Sequence, residues 1–432
     1  MKKALFIVIL LSLLIMPACN AVDNGDISDG TTGYVKSNLE RETSPQVDSA
    51  QLATLAEDNT AFALSFFDAI RKGDDNIIFS PISLSLALSM TMAGAEDSTK
   101  TGMLEALQFT IPEEDVHPAF NALLLAIEDS QNRTSQENEG TNFQLNIANS
   151  IWGQAGFDFK EDFLDTLALN YGAGVYNVDY KGNPEEARHA INDWVAEETE
   201  DKIQDLIPQG AIDILTRLVL ANAIYFKGSW RFPFNENATE EAPFILLDGS
   251  QVTVDMMSLA GENLNYLQGE TFQAVQLPYL SSDFAMTLLV PDSGAYQQFE
   301  GELNLQNLNE ILENMNSIRV DLKMPKYDFE STIDAKDPLE ALGMSEAFKT
   351  ESANFSGITE AEELYITDVL HKATITVDEE GTEAAAATAV IVGMKSAPSE
   401  EPISLVIDRP FLFLIQHRPT GTILFMGWVT QP

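Results

Sequence analysis

The chain has 432 residues, 45% hydrophobic and 21% charged, enough apolar material for a sizeable core in one large domain or two to three ordinary ones. Asp+Glu number 67 against 24 Lys+Arg, and a net charge of −43 repels DNA, RNA and anionic membrane surfaces, so no nucleic-acid partner is expected and the acidity serves solubility. One cysteine and four scattered histidines leave no intrachain disulfide and no cysteine-based or helical histidine-pair metal site. With no G-x-S-x-G elbow and no phosphate-cradling glycine loop, neither a cofactor nor a common hydrolase mechanism is expected.

At the start of the chain, Lys2 and Lys3 precede an apolar run over 4–16 and then Pro17-Ala18-Cys19. A basic start with a short apolar run predicts a secretory signal over 1–18, too short to be read as a membrane span. Cys19 stands where bacterial lipoprotein signals place their lipidated cysteine, although Met16 and Pro17 depart from that pattern. Lipidation at Cys19, or simple secretion with an incidental cysteine, both lead to a secreted or envelope-anchored protein. Residues 19–50 are rich in Asp, Asn, Ser, Thr and Gly and predict a disordered acidic tether. From 51 to 432 the pattern is globular, with no second linker and no internal repeat, so a single domain is expected there.

Within that domain, Leu55, Phe62, Phe66, Phe67 and Ile70 mark one face of a helix over 53–71. Residues 76–79 read as a short strand. Ser80 and Pro81 then open a helix, serine as cap and proline at the first helical position, and the segment to Met92 is apolar nearly all round and so buried. Alternation over 143–152 predicts a strand. Asn183-Pro184-Glu185-Glu186 starts a further helix with acids at the positive end of its dipole and a one-sided stripe of Ala187, Ile191, Trp194 and Val195. The unbroken apolar run 218–226 predicts a central strand. Strands then dominate, over 273–277, 285–290, 317–323, 373–377, 403–407, 411–415 and 422–428. Helices come early and strands late, which is the α+β class.

Several of these segments, in this order, resemble the serpin family, in its bacterial or archaeal secreted or lipoprotein form. They are Asn76-Ile77-Ile78-Phe79-Ser80-Pro81-Ile82-Ser83, the run from Leu218 through Asn222 to Trp230, Met324-Pro325-Lys326 and His371-Lys372-Ala373. To these add Val377-Asp378-Glu379-Glu380-Gly381-Thr382-Glu383-Ala384-Ala385 and Leu405-Val406-Ile407-Asp408-Arg409-Pro410-Phe411. The resemblance implies eight to nine helices, three β-sheets and an exposed reactive-centre loop over about 379–400. It further implies that the protein is a monomeric inhibitor of serine proteases rather than an enzyme. Its hinge would comprise Glu379, Glu380, Gly381, Thr382, Glu383, Ala384, Ala385, Ala386 and Ala387. Ser80, Ser83, Asn222 and His371 match a polar cluster beneath the large sheet, where strands must part. Lys326 and Glu379 match an ion pair, with Trp230 beside it, where the loop enters.

Read without the family, 381–398 is a strand running into an alanine-rich helix or linker. Alternation is more informative. Thr382, Ala384, Ala386, Thr388, Val390 and Val392 occupy every second position and none is charged, while Glu383 falls on the other face. As a strand this segment buries one face without burying a charge. In the family mechanism the target protease acylates itself on the loop, and the cut loop inserts into the sheet. Fourteen residues from Gly381 to Met394 span about 46 Å when extended. Family spacing from Gly381 puts the scissile bond at Lys395–Ser396, a bait for trypsin-like enzymes that form a covalent acyl complex with it. Met394 or a neighbouring bond is the alternative, because Pro410 stands fifteen positions after Lys395, long for the family. A non-inhibitory serpin, acting as carrier, chaperone or store, is the alternative function.

Overall fold

The computed structural model describes residues 33–71, 73–137, 143–360, 364–382 and 401–432. In chain order the first half holds β1 (Gly33–Val35), α1 (Ser49–Ile70), β2 (Ile77–Phe79), α2 (Pro81–Met92), α3 (Asp97–Ala106), α4 (Glu113–Glu137) and β3 (Gln144–Gln154). It continues with α5 (Glu161–Tyr171), β4 (Val175–Val178), α6 (Pro184–Glu198) and β5 (Leu218–Ser229). The second half adds β6 (Glu240–Ile245), β7 (Gln251–Gln268), β8 (Phe272–Pro278), β9 (Phe284–Pro291), α7 (Tyr296–Glu302), α8 (Leu305–Asn314) and β10 (Asn316–Pro325). It ends with β11 (Tyr327–Asp334), α9 (Lys336–Ala341), β12 (Asp368–Val377), β13 (Gly381–Thr382), β14 (Ile403–Val406), β15 (Phe411–His417) and β16 (Thr422–Val429). This is the α+β order expected, with nine α-helices among the described residues.

A seven-stranded sheet runs β1-β4-β3-β5-β13-β12-β11, and a nine-stranded one runs β14-β10-β7-β8-β9-β15-β16-β2 with β6 on β7. Of the three sheets that the resemblance implies, the two smaller ones are joined by hydrogen bonds into the nine-stranded sheet: the 18-residue β7 pairs with β6 along its first third, with β10 along its middle and with β8 at its end.

The apolar run of β5 has a two-sided explanation. Leu218, Leu220, Ile224 and Phe226 enter the main core, whereas Val219, Ala221 and Ala223 enter a smaller core under α6. A strand covered on both faces has no solvent face to keep polar. The cover on the second side is the one-sided helix predicted from sequence, with Ala187, Ile191 and Val195 buried against the sheet. Beneath the other face lies α2. Its cap is the expected one: Ser80 Oγ accepts from the Ser83 N–H at 3.2 Å, Pro81 starts the helix, and every residue from 81 to 92 is buried.

Residues 33–50 correct the expectation of a tether over 19–50. β1 pairs antiparallel with β4, from Gly33↔Asn177 to Val35↔Val175. Val35 and Val47 pack on the main core, Arg41 Nε donates to Asn121 Oδ1 at 2.8 Å, and Asp48 caps α1 in a reciprocal box with Gln51. A few apolar side chains and an unpaired sheet edge outweigh a polar average composition. The remainder of the expected tether, the signal segment and Cys19 lie outside the described residues.

Candidate functional site

The site is built where β5 and β12 meet. These two strands run parallel and pair directly from Asp368↔Val219 to Ala373↔Ile224. Above that level the residues after β12 turn back and insert between them. Asp378 Oδ1 accepts from the amides of Glu380 and Gly381 at 2.9 and 3.1 Å, and the Asp378 N–H donates to the Gly381 carbonyl at 3.0 Å, closing the turn. β13 then pairs antiparallel with both neighbours, Thr382 with Val377 on one side, Gly381 with Ser229 and Thr382 with Gly228 on the other. Glycine at 381 is a steric requirement: a Cβ there would lie 2.1 Å from the Gly228 carbonyl oxygen and 2.8 Å from Ser229 Cα. Thr382 is 1% exposed, and its hydroxyl shares a 2.8 Å hydrogen bond with the buried Tyr279 hydroxyl. Tyr279 in turn stacks on Trp230 at 4.7 Å, and Trp230 Nε1 donates to the Asp378 carbonyl at 3.0 Å.

The expected ion pair lies beside this turn. Lys326 Nζ is 2.6 Å from Glu379 Oε2, with the lysine side chain 37% exposed and the glutamate 8%. Thr239 Oγ1 donates to the other carboxylate oxygen at 2.6 Å. Burial pushes the Glu379 carboxyl up, but the bonds from Lys326 and Thr239 outweigh it and hold the group below its ordinary value. The bond from Glu379 raises Lys326 in step. The carbonyl of Glu379 accepts from the Phe234 amide, and that of Glu380 from the Trp230 amide, both at 2.8 Å. Glu380 itself is half-buried, and desolvation together with Asp378, Glu236 and Glu379 raises its pKa. A cluster of three acids thus opens the loop, with Lys326 engaged by the middle one.

Lower in the sheet, Asn149, Asn222 and His371 form one cross-strand row over β3, β5 and β12. His371 Nε2 accepts the Ser80 N–H at 3.0 Å, which leaves the proton on Nδ1, donated to Asn222 Oδ1. Asn222 Nδ2 donates to Ser83 Oγ at 2.7 Å and to Asn149 Oδ1, and Ser83 Oγ donates to Asn149 Oδ1 at 3.1 Å. Burial pushes the His371 pKa down to about 3, so the ring is neutral. All four residues anticipated for this cluster, Ser80, Ser83, Asn222 and His371, are fully buried and joined in one network. A strand entering fully between β5 and β12 must break the Asn222–His371 bond, because those residues are direct register partners.

The structure therefore brings the anticipated residues into two groups on one seam. The upper group is Trp230, Lys326, Glu379, Glu380, Gly381 and Thr382, and the lower is the serine–asparagine–histidine network. Asn149, Thr239 and Tyr279 join them without having been singled out in the sequence. Glu383, Ala384, Ala385, Ala386, Ala387, Lys395 and Ser396 lie outside the described residues.

Comparison with known proteins agrees with this geometry. The family model Serpin (serine protease inhibitor) matches residues 57–432. The leukocyte elastase inhibitor of Sus scrofa is 37% identical over 388 residues, covering 88% of this chain and 99% of that protein. An uncharacterized serpin-like protein of Methanosarcina mazei is 34% identical over 433 residues, covering 99% of this chain and 97% of its own length. Among solved structures, the native state of the thermophilic serpin tengpin matches with a TM-score of 0.78 and 27% identity, over 93% of this chain and 100% of that one.

Proposed function

The chain belongs to the serpin family of serine protease inhibitors, and on that premise we propose that it traps a trypsin-like protease by acylation at Lys395 followed by insertion of the cleaved loop between β5 and β12. The protease serine oxygen attacks the Lys395 carbonyl carbon, the Lys395–Ser396 bond breaks, and the Ser396 amine leaves with the proton that the protease histidine took from its serine. The ester that remains is trapped if the loop moves before water arrives. The single observation that carries this reading is the hinge: Gly381 and Thr382 already occupy the first two positions of the strand that insertion would build. Thr382 points to the core face, so positions 384, 386, 388, 390 and 392 would come after it on that face with no charge to bury. A hinge so seated favours inhibition over a carrier or storage role.

The name of the Sus scrofa relative supports a second reading of the bait, in which an elastase-like enzyme uses the neighbouring Met394–Lys395 bond. Incubation with trypsin and with an elastase, followed by denaturing electrophoresis and mass spectrometry, separates the two. A covalent complex whose released fragment begins at Ser396 supports the trypsin-like bait. A fragment beginning at Lys395 moves it to Met394, and cleavage without any complex removes the inhibitor reading.

The same proposal places a monomeric protein outside the cytoplasm, through the segment 1–18 and a lipid on Cys19. Cys19→Ala is expected to move it from the membrane to the soluble fraction; unchanged membrane association would end the anchor.

A further inference from the structure

A cleft of about 450 Å³ opens between α7, α8 and the turn that joins β7 to β8. That volume lies within the range of small-molecule sites. Its floor is apolar: Leu267 of β7, Phe272 of β8, Phe299 of α7, Leu303 between the two helices and Ile311 of α8. The rings of Phe272 and Phe299 meet at 5.3 Å between centroids. Gly269 makes room for the first of them, since a Cβ there would lie 2.3 Å from the Phe272 ring. Phe299 and Ile311 are buried, whereas Leu267, Phe272 and Leu303 are only partly covered and leave apolar surface on the cleft. α1 packs on α8 but contributes no residue to this lining.

The rim has the opposite character. Glu270 on the turn, Glu302 at the end of α7 and Glu310 in α8 are exposed and line the same cleft. Glu302 accepts from Gln298 at 3.0 Å and Glu310 from Gln306 at 2.8 Å, both neutral neighbours. Among the described residues no ion pair engages these three carboxylates, and no lysine, arginine or histidine lines the cleft. Other exposed glutamates do have a cation, Glu240 from Lys323 at 2.7 Å and Glu346 from Lys349 at 2.8 Å. Asn307 and Asn314 also line the cleft, and their amide groups donate to the carbonyls of Glu302 at 2.6 Å and Glu310 at 2.7 Å. What such a rim lacks is a positive charge that carries hydrogen-bond donors, and what the floor lacks is an apolar cover. A net charge of −43 draws cations to the molecule as a whole. We propose that this cleft binds an amphipathic primary amine, its apolar body on Phe272, Phe299 and Ile311 and its ammonium among Glu270, Glu302 and Glu310.

Phenylbutylamine is the probe, titrated into the full-length protein at neutral pH and low salt by calorimetry. Phenylbutanol and phenylbutanoate, of the same length, test the charge, and butylamine tests the apolar body. One saturable site is expected for the probe, with each control at least about tenfold weaker. The double variant Glu302→Gln with Glu310→Gln changes only exposed side chains and is expected to weaken the probe by about tenfold. Asn307→Trp provides an independent variant, filling the cleft from α8 and abolishing binding while all three carboxylates stay in place. Equal binding of butylamine would show a general attraction of cations to an acidic protein and overturns the proposal. Equal binding of phenylbutanoate, no saturable binding of the probe, or binding that either variant leaves unchanged overturns it as well. The readout is binding itself, so it stands or falls separately from protease inhibition.

Discussion

Tyr279 shows how the hinge is held by single atoms. Its hydroxyl meets Thr382 inside the core, and its ring lies on Trp230, which in turn holds the Asp378 carbonyl. Tyr279→Phe leaves the buried Thr382 hydroxyl without its partner, at about 1–3 kcal/mol. Amide exchange at 381–382 is expected to speed up by about tenfold or more, read by mass spectrometry, while exchange around His371 stays as it was; unchanged exchange at the hinge would mean that backbone pairing alone holds it. Neither Tyr279 nor Asn149 was legible in the sequence, and the reason is the same for both. Each is an ordinary polar or aromatic position in or beside a strand, and its meaning comes from a partner more than 70 residues away. The residues that were legible, Ser80, Asn222, Glu379 and His371, sit inside contiguous motifs with strong local patterns. Lys395 and Ser396 depend on spacing alone, and spacing across a long loop fixes a register less firmly than a motif does.

At the level of elements, sequence reading succeeded where the apolar pattern was long and distinct, whether as an unbroken run or as a one-sided stripe. The buried α2, the one-sided α6 and the two-sided β5 all kept their expected character. β7 was not anticipated because its burial has no steady period of two, and the sheets on its flanks change along its length. β1 has only three residues, too few for any period, and lies in a stretch whose composition reads as unstructured. Its contribution can be measured through Gly174, where a Cβ would stand 2.3 Å from the Val35 carbonyl oxygen. Gly174→Ala is expected to push β1 off the β4 edge and destabilise the protein by about 1–3 kcal/mol, seen as a lower thermal midpoint. Gly301→Ala, where a Cβ meets nothing within 4 Å, is the control and should leave the midpoint unchanged or slightly higher. Equal midpoints for both variants would show that the amino-terminal strand carries no stability.

On the scale of the molecule, the fully buried His371 and His417 and the partly buried His117 make stability depend on pH. Burial lowers His371 to about 3, and lowers His117 and His417 to about 4. Each is neutral when folded and titrates near 6.5 when unfolded, so the unfolded chain takes up protons first as pH falls. Stability contributed by these groups is complete above about pH 6.5 and is lost as pH falls from there to about 4 for His117 and His417 and to about 3 for His371, by up to roughly 1.4 kcal/mol per pH unit for each fully titrating histidine. Denaturant midpoints at pH 7.5, 6 and 5 should fall accordingly, and His371→Gln should make the fall shallower by about a third. A slope unchanged by that substitution would remove His371 from the account. The same seam that holds His371 is also where β13 enters the large sheet. At present β5 and β12 share six parallel registers; a strand between them would replace those with antiparallel pairing on both sides, the slightly stronger arrangement. With two residues already in register, the slowest event in building a strand, bringing its first pair together from a distance, lies behind the molecule rather than ahead of it. In the proposed mechanism, zippering and hydrolysis would compete once the loop is cut, a race in which one runner has left the blocks, and the odds of capture would be set before any protease arrives.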